Sequence, residues 1–309
     1  MIVRIFIFIL TTGLAFLIAC DILENQTQSD TSGIPWDKLT GKISFVNQDE
    51  GKYATKKHLY IIDAQNRSLK EVKSSSDIYF TDAIISSRGD QIAYNVSNGL
   101  EVLNLNNGSV VSYQNSYRAS FTRNNELVYY YVNSIVKEVR LNGKKMTLPL
   151  LPSSRIAYGP NDKFIVYCVS ASNGGTQLIK FNLLDSTYQT IGGHLLGDTV
   201  THANNPDISH NGQLVVYSKS FNNARRWVEI WLTNIDGSND HKLVSANNVN
   251  YDFPMWSPDD KYILFSSDYS YDGFYGGYDV SRRMWIFDVV KGTTEKLINI
   301  NGYYSSWSK

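Results

Sequence analysis

The chain is poor in cysteine: Cys20 and Cys168 are all it has. Two thiols cannot build the disulfide framework that holds small secreted domains together, so stability has to come from a packed core. Net charge is missing too, because basic and acidic residues both number 29. With no basic excess to displace counterions from phosphates, nucleic acid is excluded as a partner held by bulk charge. From Gly41 onward no apolar helical period lasts three turns, which excludes a helical architecture. No G-x-S-x-G elbow is present, so a serine hydrolase of the α/β-hydrolase kind would lack its nucleophile. His58, His194, His202, His210 and His241 show no H-x-x-x-H spacing, and no zinc site is indicated.

What is present is a strand-rich chain with 42% hydrophobic residues, ample for a core, and 21 tyrosines that suit strands. Its organising stretch is Asn250 to Ser267, NYDFPMWSPDDKYILFSS. A leading strand ends in Trp256, the turn Ser257-Pro258-Asp259-Asp260 follows, and Tyr262-Ile263-Leu264-Phe265 forms a second strand. Pro258 presets φ for the turn, and the two aspartates can bond the turn's own amides. That role accounts for Asp259 and Asp260 better than a catalytic carboxylate pair does.

Weaker copies recur. Asn204 to Gly212 precedes Leu214-Val215-Val216-Tyr217, with Pro206 in the place of Pro254. Tyr158 to Asp162 precedes Phe164 to Tyr167, Phe121 to Asn125 precedes Leu127 to Tyr129, and Ile85 to Gly89 precedes Ile92 to Tyr94. After each hairpin come a third strand, a turn and often a fourth, as in Ile230 to Ile235 then Lys242 to Val244. Four strands recurring at this spacing predict a β-propeller. The chain stops at Tyr303 to Lys309, half of another copy, with Trp307 matching Trp256. The missing strand of that copy is Lys42 to Val46, completed by His58 to Asp63 and Leu69 to Val72. The expectation is therefore an all-β, six-bladed propeller over residues 41–309 with four-stranded blades. Pairing of the C-terminal strand with the N-terminal strands closes the ring and removes exposed edges.

The W-S-P-D-D hairpin leading to Phe265-Ser266-Ser267 resembles the propeller repeat of the TolB family, a repeat shared with prolyl oligopeptidase relatives. The resemblance spans Gly41 to Lys309 and is strongest in the last copy. It implies the fold and an envelope address. The α/β domain that precedes the propeller in TolB has no counterpart, and a polar spacer stands in its place.

Residues 1–19 read as a signal peptide: Arg4, then an apolar run from Ile5 to Ala19 too short to span a membrane comfortably. Leu17-Ile18-Ala19-Cys20 resembles the lipobox of bacterial lipoproteins, which implies acylation of Cys20 and a membrane partner through the lipid. Residues 20–40 then form a flexible linker, rich in Gln, Thr, Ser and Asp. Asp21 resembles an inner-membrane retention signal of some bacteria. With Cys20 lipidated, Cys168 is a lone thiol in the apolar strand Phe164 to Val169 and reads as a buried small hydrophobe.

Loop length points to a binding surface. Connections between second and third strands are short at Ser97 to Gly99, Asn133 to Ser134 and Ser170 to Gly175. They are long at Asn47 to Lys57, Lys219 to Arg226 and Asp268 to Arg283, in blades that become neighbours on closure. These loops carry Tyr53, Phe221, Arg225, Arg226, Tyr269, Tyr271, Phe274, Tyr275 and Tyr278. Aromatic rings with arginines suit a protein or glycan partner, while unselected variation of surface loops would explain the lengths equally. Within the longest loop Asp268, Ser270, Asp272 and Asp279 follow the offsets of a calcium loop, with Gly273 at the sharp turn. The loop joins strands rather than helices, so no cofactor is expected beyond that calcium candidate. The functional expectation is an envelope lipoprotein whose propeller is a non-catalytic scaffold. The alternative is a carbohydrate-active lyase or hydrolase using the funnel. His202 resembles the funnel metal site of propeller lyases that degrade pectin fragments, though a solvated loop histidine is the plainer reading.

Overall fold

The computed structural model describes residues 33–48, 56–75, 81–134, 137–172, 174–192, 200–221, 227–247, 249–268, 282–298 and 302–308. Apart from two short 3-10 turns, the regular elements of these residues are all strands. They fall into antiparallel quartets. The first contains β1 (Lys42–Gln48), β2 (Lys57–Asp63) and β3 (Ser68–Ser75). The second is β4 (Thr81–Ile85), β5 (Gln91–Val96), β6 (Gly99–Asn104) and β7 (Val110–Gln114). The third is β8 (Ser116–Phe121), β9 (Leu127–Val132), β10 (Lys137–Leu141) and β11 (Lys144–Met146). The fourth is β12 (Ala157–Tyr158), β13 (Phe164–Ser170), β14 (Thr176–Asn182) and β15 (Tyr188–Gly192). The fifth is β16 (Thr201–Ile208), β17 (Leu214–Phe221), β18 (Val228–Asn234) and β19 (His241–Val244). The sixth is β20 (Asn250–Trp256), β21 (Tyr262–Asp268), β22 (Arg282–Asp288) and β23 (Thr293–Lys296). The last strand, β24 (Tyr303–Ser308), returns to lie beside β1, with Trp307 opposite Ile43 and Ser308 opposite Lys42.

Each quartet is an antiparallel meander, and together they form a β-propeller with four-stranded blades. Separate sheets were expected throughout. Hydrogen bonding instead gives four four-stranded sheets and one of eight strands. The eight-stranded sheet arises because a parallel bridge between Thr176 and His202 joins β14 to β16. His202 is thus part of a strand contact, and not a free loop histidine.

The apolar side chains of one quartet pack on those of the next. Trp256 lies among Val216, Ile230 and Leu232 of the fifth quartet and Ile263, Phe265 and Phe287 of its own. Trp307 packs with Ile43, Phe45 and Ile62 beside it and with Leu264, Met284 and Ile286 of the sixth quartet. Burying a side chain of this size contributes a few kcal/mol, so each quartet depends on its neighbours for much of its core. Cys168 sits in such a cluster with Val166, Leu178 and Ile191, and burial pushes its thiol up to about 12. It is packing, as expected.

The spacer reading of residues 20–40 fails at its C-terminal end. Ile34 and Leu39 are buried in the cluster of Trp307, Lys38 pairs with Glu295, and Trp307 Nε1 donates to Thr40 O at 2.6 Å. Two well-placed apolar residues in a polar stretch are enough to dock it.

Candidate functional site

The inner strand of most quartets carries a β-bulge. Register shifts occur between Thr81 and Ile84, Tyr117 and Ser120, Asn204 and Asp207, and Asp252 and Met255, and again where β24 pairs with β1. At the bulge Arg118 (φ 51°), Asn205 (φ 47°), Phe253 (φ 57°) and Tyr304 (φ 51°) adopt left-handed backbone. Side chains other than glycine pay for that conformation, which the flanking ladders enforce. A bulge bends the strand and re-aims one side chain. Here the re-aimed residues meet one another: the Phe253 and Tyr304 rings stand 4.6 Å apart. Arg155, at the same distance ahead of its turn, lies with its guanidinium 5.8 Å from Phe253, reaching past the fifth quartet.

Between this level and the first turns lies a cavity of about 240 Å³. Ser87, Arg88, Arg123 and His210 reach it from the turns, and Arg155, Asp207, Met255 and Trp256 from the inner segments. It therefore lies on the side of the turn aspartates, the side that loop length disfavoured.

Its turns are latched together in a repeating way. Asp259 closes its own turn, accepting from Ser257 Oγ at 2.7 Å and Lys261 N at 3.3 Å. Asp260 does not. It reaches to the fifth quartet, accepting from the amides of His210 (2.6 Å) and Asn211 (2.9 Å). Asp162 does the same for the amides of Arg123 (2.7 Å) and Asn124 (3.2 Å), and Asn125 Oδ1 accepts from Arg88 N at 3.0 Å. All three latch residues have positive φ (Asp260 57°, Asp162 51°, Asn125 71°), which turns the side chain outward across the gap. The expectation that both acids bond only their own turn was half right.

The wall of the cavity between the third and fifth quartets is fully bonded. Arg123 Nε donates to Tyr158 O at 2.9 Å and Nη2 to Ile208 O at 2.8 Å, while Nη1 lies 2.9 Å from His210 Nε2. That nitrogen must accept, so the ring proton sits on Nδ1, which faces Asp260 Oδ1 at 3.3 Å. Burial, reinforced by the Arg123 charge, holds His210 below its ordinary value, against the opposing pull of Asp207 and Asp260. Asp207 accepts from Trp256 N at 2.7 Å.

Of the residues read as a binding arc, only Phe221 is among those described. Its ring packs on Trp231 of its own quartet at 6.2 Å. Tyr53, Arg225, Arg226, Tyr269, Tyr271, Phe274, Tyr275 and Tyr278 lie outside the described residues, as does Cys20. Asp268 is described: burial raises its carboxyl, Arg282 opposes the shift, and its Oδ1 has no partner among the described residues. Ser270, Asp272 and Asp279 lie outside them. Sequence reasoning missed Arg123, Arg155 and His210. The available signal was Arg155 itself, a charge placed where the repeat otherwise leads into a buried strand.

No protein-family model matches the chain, and no curated protein matches it. Solved structures do. The putative TolB from Agrobacterium tumefaciens aligns with a TM-score of 0.64 at 18% identity, over 87% of this chain and 94% of that one. TolB from Acinetobacter baumannii gives 0.64 at 15% identity, over 89% and 68%. The described unit has a β-propeller fold similar to that of these TolB structures. The tricorn protease aligns at a TM-score of 0.55 and 16% identity, over 83% of this chain and 26% of its own length. At these identities the likeness is one of fold, and this propeller takes no ligand or partner from it.

Proposed function

We propose that this chain is a lipid-anchored protein of the bacterial cell envelope whose six-bladed, ring-closed propeller binds a protein or glycan partner and performs no chemistry. Support for the ring comes from the quartets, from β24 lying beside β1, and from the Trp307 cluster that joins the sixth quartet to the first. The observation that carries the binding reading is the state of the cavity's Asp207 and His210. Both ring nitrogens of His210 are engaged, by Arg123 and Asp260, and one oxygen of Asp207 is engaged by the Trp256 amide. A general acid or base needs a free atom facing substrate.

The partner is assigned to the arc of long connections that follow β1, β17 and β21, with Arg225, Arg226 and Tyr275 among its contacts. Calcium is proposed as a ligand of Asp268, Ser270, Asp272 and Asp279 in the longest of them. Three experiments test the reading. Cys20→Ser is expected to release the protein from membranes and abolish fatty-acid labelling; unchanged retention without label would refute the anchor. Replacing residues 269–281 by a tight hairpin should abolish in-cell cross-linking to the partner while leaving thermal unfolding nearly unchanged. A trimmed protein that still cross-links would remove the arc, and one that melts early would make the loop structural. A calcium-dependent rise in melting temperature, absent in Asp272→Asn, tests the cation.

A further inference from the structure

The guanidinium of Arg155 makes no hydrogen bond or ion pair among the described residues, although the side chain is only 6% exposed and lines the axial cavity. Nε and Nη2 are closed off from solvent and have no partner among the described residues. A buried charge left in this state is expensive, and folded proteins ordinarily pair it. This protein does so elsewhere. Lys219, 1% exposed, has Asp240 Oδ2 at 3.3 Å and the Trp231 ring at 3.9 Å from its ammonium. Arg155 has the Phe253 ring at 5.8 Å, at the outer reach of a cation–π contact and too weak to offset the desolvation of a buried charge.

We propose that the axial cavity is a binding site for a carboxylate, with Arg155 as its anchor. Nε and Nη2 form one edge of the guanidinium and carry parallel N–H donors, the arrangement that matches the two oxygens of a carboxylate. Because both nitrogens are closed off, binding requires the side chain to rotate so that this edge faces the cavity it lines. Two more donors stand nearby. Ser120 Oγ accepts from Ile156 N and Ser306 Oγ from Ile85 N, so each hydroxyl proton is left to donate into the cavity that both residues line. The remaining wall includes Phe121, Met255 and Trp256, which suits an apolar body behind the acid. A single unpaired buried guanidinium matches a single charge, and this favours a carboxylate over a doubly charged phosphate. The volume of about 240 Å³ admits a small aromatic or aliphatic acid, or the last residue of a peptide.

This inference rests on the reading of the propeller as a binding scaffold, but it fails separately, because the arc is tested by loop trimming and the axis by Arg155. The experiment is calorimetric titration and thermal unfolding of the protein without its lipid, with 3-phenylpropionate as probe. Two tripeptides, Ala-Ala-Phe with a free or an amidated C-terminus, form a second arm. Wild type is expected to bind the acid and gain melting temperature with dose, while 3-phenylpropionamide does nothing. Binding of Ala-Ala-Phe but not of its amide would assign the carboxylate to a chain end, and binding of phenylpropionate alone to a free acid. Arg155→Met should weaken binding by about tenfold to a hundredfold, the loss of one charge-assisted bidentate pair. Arg155→Lys, which keeps the charge and loses the fork, should fall between. Without ligand Arg155→Met should melt no lower than wild type, since it removes an uncompensated charge. Equal binding by wild type and both variants, no binding of any probe, or early melting of Arg155→Met with unchanged probe response would each overturn the proposal.

Discussion

Arg123 and Arg155 line the same cavity and have opposite fates. The first spends its guanidinium on two carbonyls and a histidine of neighbouring quartets, and the second spends none. One wall of the cavity is thus a structural joint, and the other is unfinished. The lesson is that charge in a propeller axis does not by itself mark a site. What separates the two arginines is whether the fold has already used the donors.

The comparison breaks most readily at Arg123. Arg123→Met leaves the carbonyls of Tyr158 and Ile208 without their donor and uncouples three quartets. Denaturant unfolding should show a loss of about 3 kcal/mol, the sum expected for several charge-assisted bonds with unsatisfied partners. A loss below about 1 kcal/mol would make the joint ornamental.

The latch should matter next. Asp260→Ala frees the amides of His210 and Asn211 and is expected to cost about 1–2 kcal/mol. Asp259→Ala, which affects one turn only, should cost less. If the two neighbours cost the same, the latch between quartets contributes nothing of its own.

A smaller effect follows from pH. His210 is held below its ordinary value by burial and by Arg123, so the unfolded chain takes up its proton before the folded one does. The stability this neutral ring secures is complete above the unfolded value, about 6.5, and is lost as pH falls from there toward the folded value. His210→Gln should flatten the decline of melting temperature in that window. Carboxylates held low, Glu101 and Asp259 among them, lose their contribution only at lower pH, below about 4.5. A wild-type curve that is flat down to pH 5 would contradict the lowered titration of His210.

The smallest change in the fold, and the sharpest contrast, is Arg155→Met. Unfolding should be unchanged or slightly favourable to the variant, the reverse of Arg123→Met. Equal losses at the two positions would erase the distinction.

Much of the fold was legible in residue order. The turn Ser257 to Asp260 with its flanking strands repeats closely enough to be aligned by eye, and a chain ending on half a repeat places Trp307 beside Ile43. The docking of Ile34 and Leu39 was not legible, because two isolated apolar residues carry no period. Nor were the bulges, since Arg118, Asn205, Phe253 and Tyr304 share a backbone state and no side-chain chemistry.

The sequence by itself determined the strands, their grouping in fours and the tryptophans between them, because alternation, turn chemistry and repetition are local properties. Only the tertiary structure decided what the polar residues do. Asp259 and Asp260 are adjacent and identical, yet one closes its own turn and the other holds the next quartet, as a positive φ at Asp260 directs. Arg123 and Arg155 stand at different heights of one axis, and only the carbonyls that other quartets bring there make one of them bonded and leave the other free.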